Sequence, residues 1–466
     1  VERFEQEFLT KLDELVSIES VYHDAEATSE APFGKGPAEA LNCVLRWGEE
    51  DGMIVKNVDG YAGHIQLGEG RGEDAASVLV HLDVVPPGPG WTKAPFALTE
   101  EDGRLYGRGV LDNKGAAVAA YMALKQIKTE GVALKRPLRF IAGIDEERHW
   151  ACMDHYFQEE PQPKTGFVPD ADFPVITKEK GILDVEVTQP LFNIETSAPV
   201  FLQSLHSGER ENMVPAAAEA ELVMYDAAEL ERLYKLLEHM LAADQFKVEA
   251  HGSVLRLDVY GTPAHGAAPD LGDHAAVKLG QVLEQLPLDQ AGLTFVQKLL
   301  AEWGDSTGRL LGVQKETSDA VLTVNAGVVR YDASTKQAKI VATVRAPAEV
   351  PLAELRAQLD TWAERRGMDL RVLDELPGHS LQSDHPLAQM LLDVYEGHTG
   401  ERPAPLAIGG ATYARVLKDG AAFGPLFPNR ENTAHQADEW MYFKDLLLCT
   451  KMYEDVLQRL GQAENL

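Results

Sequence analysis

The chain has 466 residues, 45% hydrophobic and 25% charged, an ordinary globular composition with room for two domains and at least one large core. Its 43 basic and 74 acidic side chains leave a formal charge of -31, a surface that repels phosphate backbones and argues against a nucleic-acid partner. Three scattered cysteines, Cys43, Cys152 and Cys449, suit a reducing compartment better than a disulfide framework, and no run approaches the roughly 18 apolar residues of a membrane helix, so no membrane partner is expected.

The first twenty residues, VERFEQEFLTKLDELVSIES, are acidic and amphipathic, without the basic start and apolar centre of a signal peptide, which points to a cytoplasmic protein. AASVLVHLDVV then reads as a buried strand, and KGAAVAAYMALKQIKTEG as an alanine-rich helix stopped by Gly131. RPLRFIAGID, KTGFVPDAD and GILDVEVTQ are further strands. This alternation predicts an α/β fold, a mixed and largely parallel sheet flanked by helices, with functional groups gathered where strands end.

From about Leu191 the pattern changes. EAELVMYDA, AELERLYKLLEHMLA and VLRLDVYG read as strand, helix, strand, and AKIVATVRAP, PLAELRAQLDTWAERR and MDLRVLDEL repeat that order. Leu230, Leu233, Leu237 and Met240 line one face of the first helix; Leu355, Leu359 and Trp362 line one face of the second. The spacing predicts an α+β lid of two similar halves, residues 185–377, inserted into a domain formed by 1–184 and 378–466.

Polar residues sit at the predicted strand ends. His81 and Asp83, two apart, face the same side of an extended chain, and a metal-binding histidine needs its second ring nitrogen held, commonly by a carboxylate. Asp112 follows a glycine-rich loop at a helix start, where it or Asn113 equally reads as an N-cap. Asp145, Glu146 and Glu147 follow the next strand, placed either to complement a helix dipole or to divide metal ligation from proton transfer. Asp170 ends a further run, and ENTAHQADEW offers His435. Two histidines and three carboxylates are enough for two metal ions that share one bridging carboxylate. Mixed nitrogen and oxygen donors favour zinc, with manganese and cobalt compatible.

HLDVVPPGPGW, GRGVLDNKG, DEE, PDAD and AHGAAP together resemble the signature segments of the aminoacylase, carboxypeptidase and dipeptidase family of dinuclear zinc peptidases, in particular its PepV-type dipeptidase branch, and the resemblance runs over nearly the whole chain. It implies His81 and Asp170 as terminal ligands of one zinc ion, Glu147 and His435 as those of the other, and Asp112 as the bridge. It further implies Asp83 as the brace of His81, Glu146 as general base and acid, and His265 as the lid histidine that stabilises the oxyanion. Asn212 and Arg345 would contact substrate, Arg345 gripping a free carboxylate, and Gly409, Gly410 and Thr412 would line the pocket for the substrate's C-terminal end. Read alone, His265 equally suits a turn and Arg345 a solvated strand end. The branch usually carries two consecutive aspartates where this chain has Asp112 and Asn113, which lowers the local charge by one.

The resemblance implies a metal-dependent dipeptidase acting on small peptides. The alternatives are deacylation of N-acyl amino acids or succinyl-diaminopimelate and, in another class, a catalytically silent peptide binder. Relatives with a small lid dimerise to borrow the lid histidine, so a duplicated lid predicts a monomer that supplies His265 itself.

Overall fold

The computed structural model describes residues 2–224, 226–318 and 320–463. It divides into two compact units, Val1–Lys178 with Ser380–Leu466, and Glu179–His379. Among the described residues no helix is long and apolar enough to cross a membrane.

The first unit is a mixed sheet flanked by helices. Four strands, Leu138–Gly143, Ala76–His81, Thr165–Val168 and Asp419–Ala422, lie parallel in that spatial order. Antiparallel strands extend both sides: Ala62–Leu67 and Ile54–Val58 on one, Ile176–Glu179 on the other. Ala76–His81 and Leu138–Gly143 are buried at every residue, as expected for central parallel strands covered on both faces. Because the four strands run the same way, the segments after His81, Gly143 and Val168 emerge at one edge of the sheet. Ligand sites in open α/β sheets form at that edge.

The helix Lys114–Glu130 is buried along most of its length, which its alanines permit, and ends at Gly131 in the left-handed region (φ +66°). It packs against Glu2–Val16 and Phe443–Gln462. Its first turn lies so close to the preceding loop that a Cβ on Gly115 would sit 2.0 Å from the Val110 carbonyl oxygen. Only glycine allows the helix to begin directly behind that loop.

The second unit holds an antiparallel sheet in the order Phe246–His251, Val254–Tyr260, Ala217–Met224, Val200–Ser207, Thr323–Asp332, Gln337–Ala346, Gly181–Pro190, Asp369–Leu376. The helices Ala227–Met240 and Leu352–Glu364 follow Ala217–Met224 and Gln337–Ala346, the order read from sequence; Tyr225, between the first such strand and its helix, lies outside the described residues. Leu233, Leu237, Leu355, Leu359 and Trp362 are buried as the helical spacing predicts, whereas Met240 sits exposed at its helix end. GILDVEVTQ, read above with the strands of the first sheet, belongs to this second one, between Gln337–Ala346 and the edge strand Asp369–Leu376. Its alternating apolar residues suit either sheet, and only the pairing partners decide.

Candidate active site

His81 closes its strand fully buried, and its two ring nitrogens have different neighbours. Nδ1 faces the Asp83 backbone carbonyl at 3.0 Å, while Nε2 lies 2.9 Å from Asp112 Oδ1 and 3.6 Å from Asp170 Oδ1. The carboxylate brace expected from Asp83 is therefore shared with its backbone: Asp83 Oδ1 is 3.5 Å from Nδ1, and Oδ2 accepts the Glu147 amide at 3.0 Å. Asp83 thus ties the His81 strand end to the turn that carries the glutamates. Ser20 fixes the residue between them, donating Oγ to the Leu82 carbonyl at 2.6 Å and accepting the Val84 amide at its own carbonyl. At the far end of the proline-glycine loop, Trp91 Nε1 donates to the Pro87 carbonyl at 2.7 Å.

Asp112 reaches the same place from the other side of the chain. Its two oxygens diverge, Oδ1 toward His81 and Oδ2 toward His435 Nε2 at 3.0 Å. The loop that presents it is wrapped around the fully buried carboxylate of Glu439. Oε1 accepts the amides of Leu111 and Asp112 at 2.9 and 3.1 Å; Oε2 accepts the Gly109 amide at 3.1 Å and Arg108 Nη1 at 2.6 Å. Asn113 occupies the N-cap position of Lys114–Glu130 but makes no capping bond. Its amide nitrogen donates instead to the Pro169 carbonyl at 2.5 Å and to Asp170 Oδ1 at 3.0 Å. An ionised aspartate at this position has no proton to give either acceptor, so the departure from the family pattern lets residue 113 hold Asp170 directly.

Asp145, Glu146 and Glu147 lie in the turn before the helix Ala151–Glu159 rather than in its first turn. Asp145 Oδ2 accepts the Ala151 amide at 3.0 Å, so one acid serves the helix and two are left for chemistry. Glu147 Oε1 stands 3.1 Å from His435 Nε2. His435 adopts a left-handed backbone (φ +63°), and its side chain is 52% exposed, which leaves the cluster open to solvent on that flank. Donor atoms of His81, Asp112 and Glu147, and of His81, Glu146 and Asp170, lie within 4.8 Å of one another, the spacing of metal-binding groups.

The electrostatics fit cations. Burial opposes charge on His81, yet Asp170, Asp112 and Asp83 overcome it and raise its pKa; His435 is likewise pushed up to about 11 by Asp112 and Glu147 against its burial. Burial favours a protonated Asp112, but its bonds to His435 and His81 hold it well below the usual carboxylate range. Glu147 is pushed up to about 7 by burial and the charge of Asp112, and Glu146 is raised by burial and by Asp170, Glu147 and Asp112. Four carboxylates thus converge on two imidazoles. Such a surplus of negative charge favours divalent cations, which replace protons.

In the second unit, Asn212, His265 and Arg345 lie near one another. Met213 and His265 form an isolated bridge, and the Gly266 amide donates to the Asn212 carbonyl at 2.7 Å. A Cβ on Gly266 would touch the Thr343 methyl, two residues before Arg345. Arg345 is 5% exposed, so it is not the solvated strand end its sequence position also allowed. In the first unit Thr412 is buried, and its hydroxyl accepts the Ala414 amide to cap the short turn Tyr413–Val416; the Gly410 carbonyl, beside Gly409, accepts Arg415 Nη2.

The model of peptidase family M20/M25/M40 matches residues 78–459. The chain belongs to this family. It is a peptidase, and the family match spans all of the strand-end acids and histidines described. The peptidase is 39% identical over 464 residues, 99% of its length and 98% of the other's, to a Bacillus subtilis (strain 168) protein named "Putative dipeptidase YtjP". A Staphylococcus epidermidis protein named "Putative dipeptidase" is 34% identical, over 98% of this chain and 97% of its own. Among solved structures, human carnosine dipeptidase 1 (TM-score 0.56, 14% identity, 99% and 98% of the two chains) shares the fold. So does a Staphylococcus aureus tripeptidase (TM-score 0.60, 13% identity, 98% of each chain).

Several residues that shape this peptidase's site carried no functional signal in the sequence. Glu439 lies 327 residues from Asp112, and nothing in ADEW distinguishes a buried cradle from a surface acid. Tyr413 backs His81 edge-on, the ring centroids 6.4 Å apart, and its hydroxyl meets Cys152 Sγ at 3.1 Å.

Proposed function

We propose that the peptidase is a dipeptidase that hydrolyses dipeptides with a free C-terminal carboxylate at a dinuclear centre. One observation above the others supports this: Asp112 offers one oxygen toward His81 and the other toward His435. His81 and Asp170 would hold one cation and Glu147 and His435 the other, with Asp112 between them; the nitrogen and oxygen donors suit zinc, and also manganese or cobalt. When bound, the cations supply Lewis-acid polarisation of a carbonyl and activation of water near neutral pH. Glu146, beside His81 and Asp170 and raised in pKa by burial, accepts the proton of the attacking water and delivers it to the departing amine. His265 stabilises the oxyanion, and Arg345 and Asn212 hold the substrate. Arg345 pairs both carboxylate oxygens and so favours short substrates. Gly409, Gly410 and Thr412 border the substrate's C-terminal side. The dipeptidase names of the relatives support the same substrate class.

The test is a panel of dipeptides, tripeptides and N-acyl amino acids, assayed after chelation and reloading with zinc, manganese or cobalt. Preferential cleavage of dipeptides is expected. No hydrolysis of any member overturns the enzyme, and cleavage of N-acyl amino acids alone makes it a deacylase. Each chain supplies its own His265, so the enzyme works as a monomer. Recovery of activity on mixing His265→Ala with Glu146→Ala protein would refute that.

A further inference from the structure

The sheet of the second unit is apolar on one face and polar on the other. Leu183, Val185, Val187, Ala342, Val344 and Ala346 point into its hydrophobic core. The alternate residues, Asp184, Thr343 and Arg345, occupy the opposite face, where strand residues of an antiparallel sheet commonly meet water. Here they do not: Asp184 is 8% exposed, Thr343 0% and Arg345 5%. Three buried polar side chains in a row imply a network, because each loses its hydration unless a neighbour replaces it.

The register sets the three side chains beside one another. Asp184 lies directly opposite Thr343 across the strand pair, and Ile182 opposite Arg345. Arg345 Nε donates to Thr343 Oγ1 at 3.0 Å. Asp184 Oδ1 is buried without a hydrogen-bond partner, and the Thr343 hydroxyl, its oxygen taken by Arg345, has one proton to offer the carboxylate that stands opposite it. On the far side of the same strand, Asn325 lies opposite Thr343 and Thr323 opposite Arg345. Asn325 Nδ2 donates to the carbonyls of Glu211 and Met213 at 2.8 and 2.9 Å, and so fixes the backbone on either side of Asn212.

We propose that Asp184, acting through Thr343, is a positioning residue that sets the Arg345 guanidinium for recognition of the substrate's C-terminal carboxylate. The inference rests on the reading, given above, that Arg345 takes that carboxylate. Holding Nε fixes the rotation of the guanidinium plane, and a planar fork binds a carboxylate through two parallel bonds only when that plane is set.

The experiment compares the fastest-cleaved dipeptide of the panel with its C-terminal amide, in the zinc-loaded wild type and in Asp184→Asn, Thr343→Val and Thr343→Ser. Wild type is expected to favour the free acid in kcat/KM. Asp184→Asn and Thr343→Val should each cut that preference about tenfold, mostly through KM of the free acid, while Thr343→Ser restores it. If both substrates lose rate equally in Asp184→Asn and Thr343→Val, the two residues merely support the fold and the inference is overturned. If wild type already treats acid and amide alike, the carboxylate reading of Arg345 itself fails, a result separable from the first because it appears before any substitution.

Discussion

The two units gather charge in opposite ways. In the first, His81 at a strand end and Glu147 and Asp170 in the turns after neighbouring parallel strands meet Asp112 and His435, which come from loops outside that sheet. In the second, Asp184, Thr343 and Arg345 are neighbours across adjacent strands on a single sheet face. A loop-built site depends on whatever holds each loop, so its integrity is spread over residues that never touch substrate. A face-built site is held by the sheet register itself, and its residues tune orientation more than they create the site.

The sharpest test of this difference lies at the bridge. Asp112→Ala removes the side chain that turns one oxygen to each histidine, so it should abolish retention of metal by the purified protein, with activity falling by a thousandfold or more. Glu146→Gln should instead lower kcat by about 10²- to 10⁴-fold, the range for a lost proton shuttle, with metal content kept. Metal analysis of the two purified variants separates them. If Asp112→Ala keeps its metal, the loops do not depend on the bridge as described.

Next in size is Glu439. Both of its oxygens are taken by three backbone amides and Arg108. Glu439→Gln exchanges one acceptor oxygen for a donor group facing backbone amides. It should weaken cation affinity by about 10- to 100-fold, the usual cost of losing an outer support of a ligand. Competition against a chelator of known affinity reads this without any turnover. Unaltered affinity would mean that the loop holds its shape alone.

The same contrast explains what was legible in the sequence. His81, the paired glutamates and Asp170 each follow an apolar strand, so a local pattern announces them. Asp112 stands after glycines at a helix start, which is also visible. Their convergence was visible only through the assembled set of motifs, because no local rule says which strand ends are neighbours. Glu439 was illegible, since a carboxylate reveals its burial only when the loop it supports is in place. The second unit differs. Period-2 alternation in GILDVEVTQ and AKIVATVRAP is compatible with Asp184, Thr343 and Arg345 on polar faces, but the reading of the sequence singled out Arg345 alone. The pairing of those two strands was not legible, and GILDVEVTQ was accordingly grouped with the first sheet.

The smallest effect is the most discriminating for the second unit, because stability and function should move in opposite directions. Asp184 is raised to about 6, chiefly by burial with help from Glu211 and Asp374, against the opposing pull of Thr343 and Arg345. A carboxyl whose folded pKa exceeds its unfolded value binds its proton more tightly when folded, so stability is lost as pH rises from about 4 through about 6. The gap from the ordinary 3.8 to about 6 corresponds to at most roughly 3 kcal/mol at neutral pH. Asp184→Asn removes that titration. Relative to wild type it should therefore unfold at higher denaturant at pH 8 than at pH 4, by about 1–3 kcal/mol in the difference. A residue serving only the fold would lose stability when replaced. A residue kept for orientation should gain it at pH 8 while losing preference for the free acid, the trade expected where a site holds strain for function. If Asp184→Asn is less stable than wild type at pH 8, its charge supports the fold, and the contrast between a loop-built and a face-built site loses its second half.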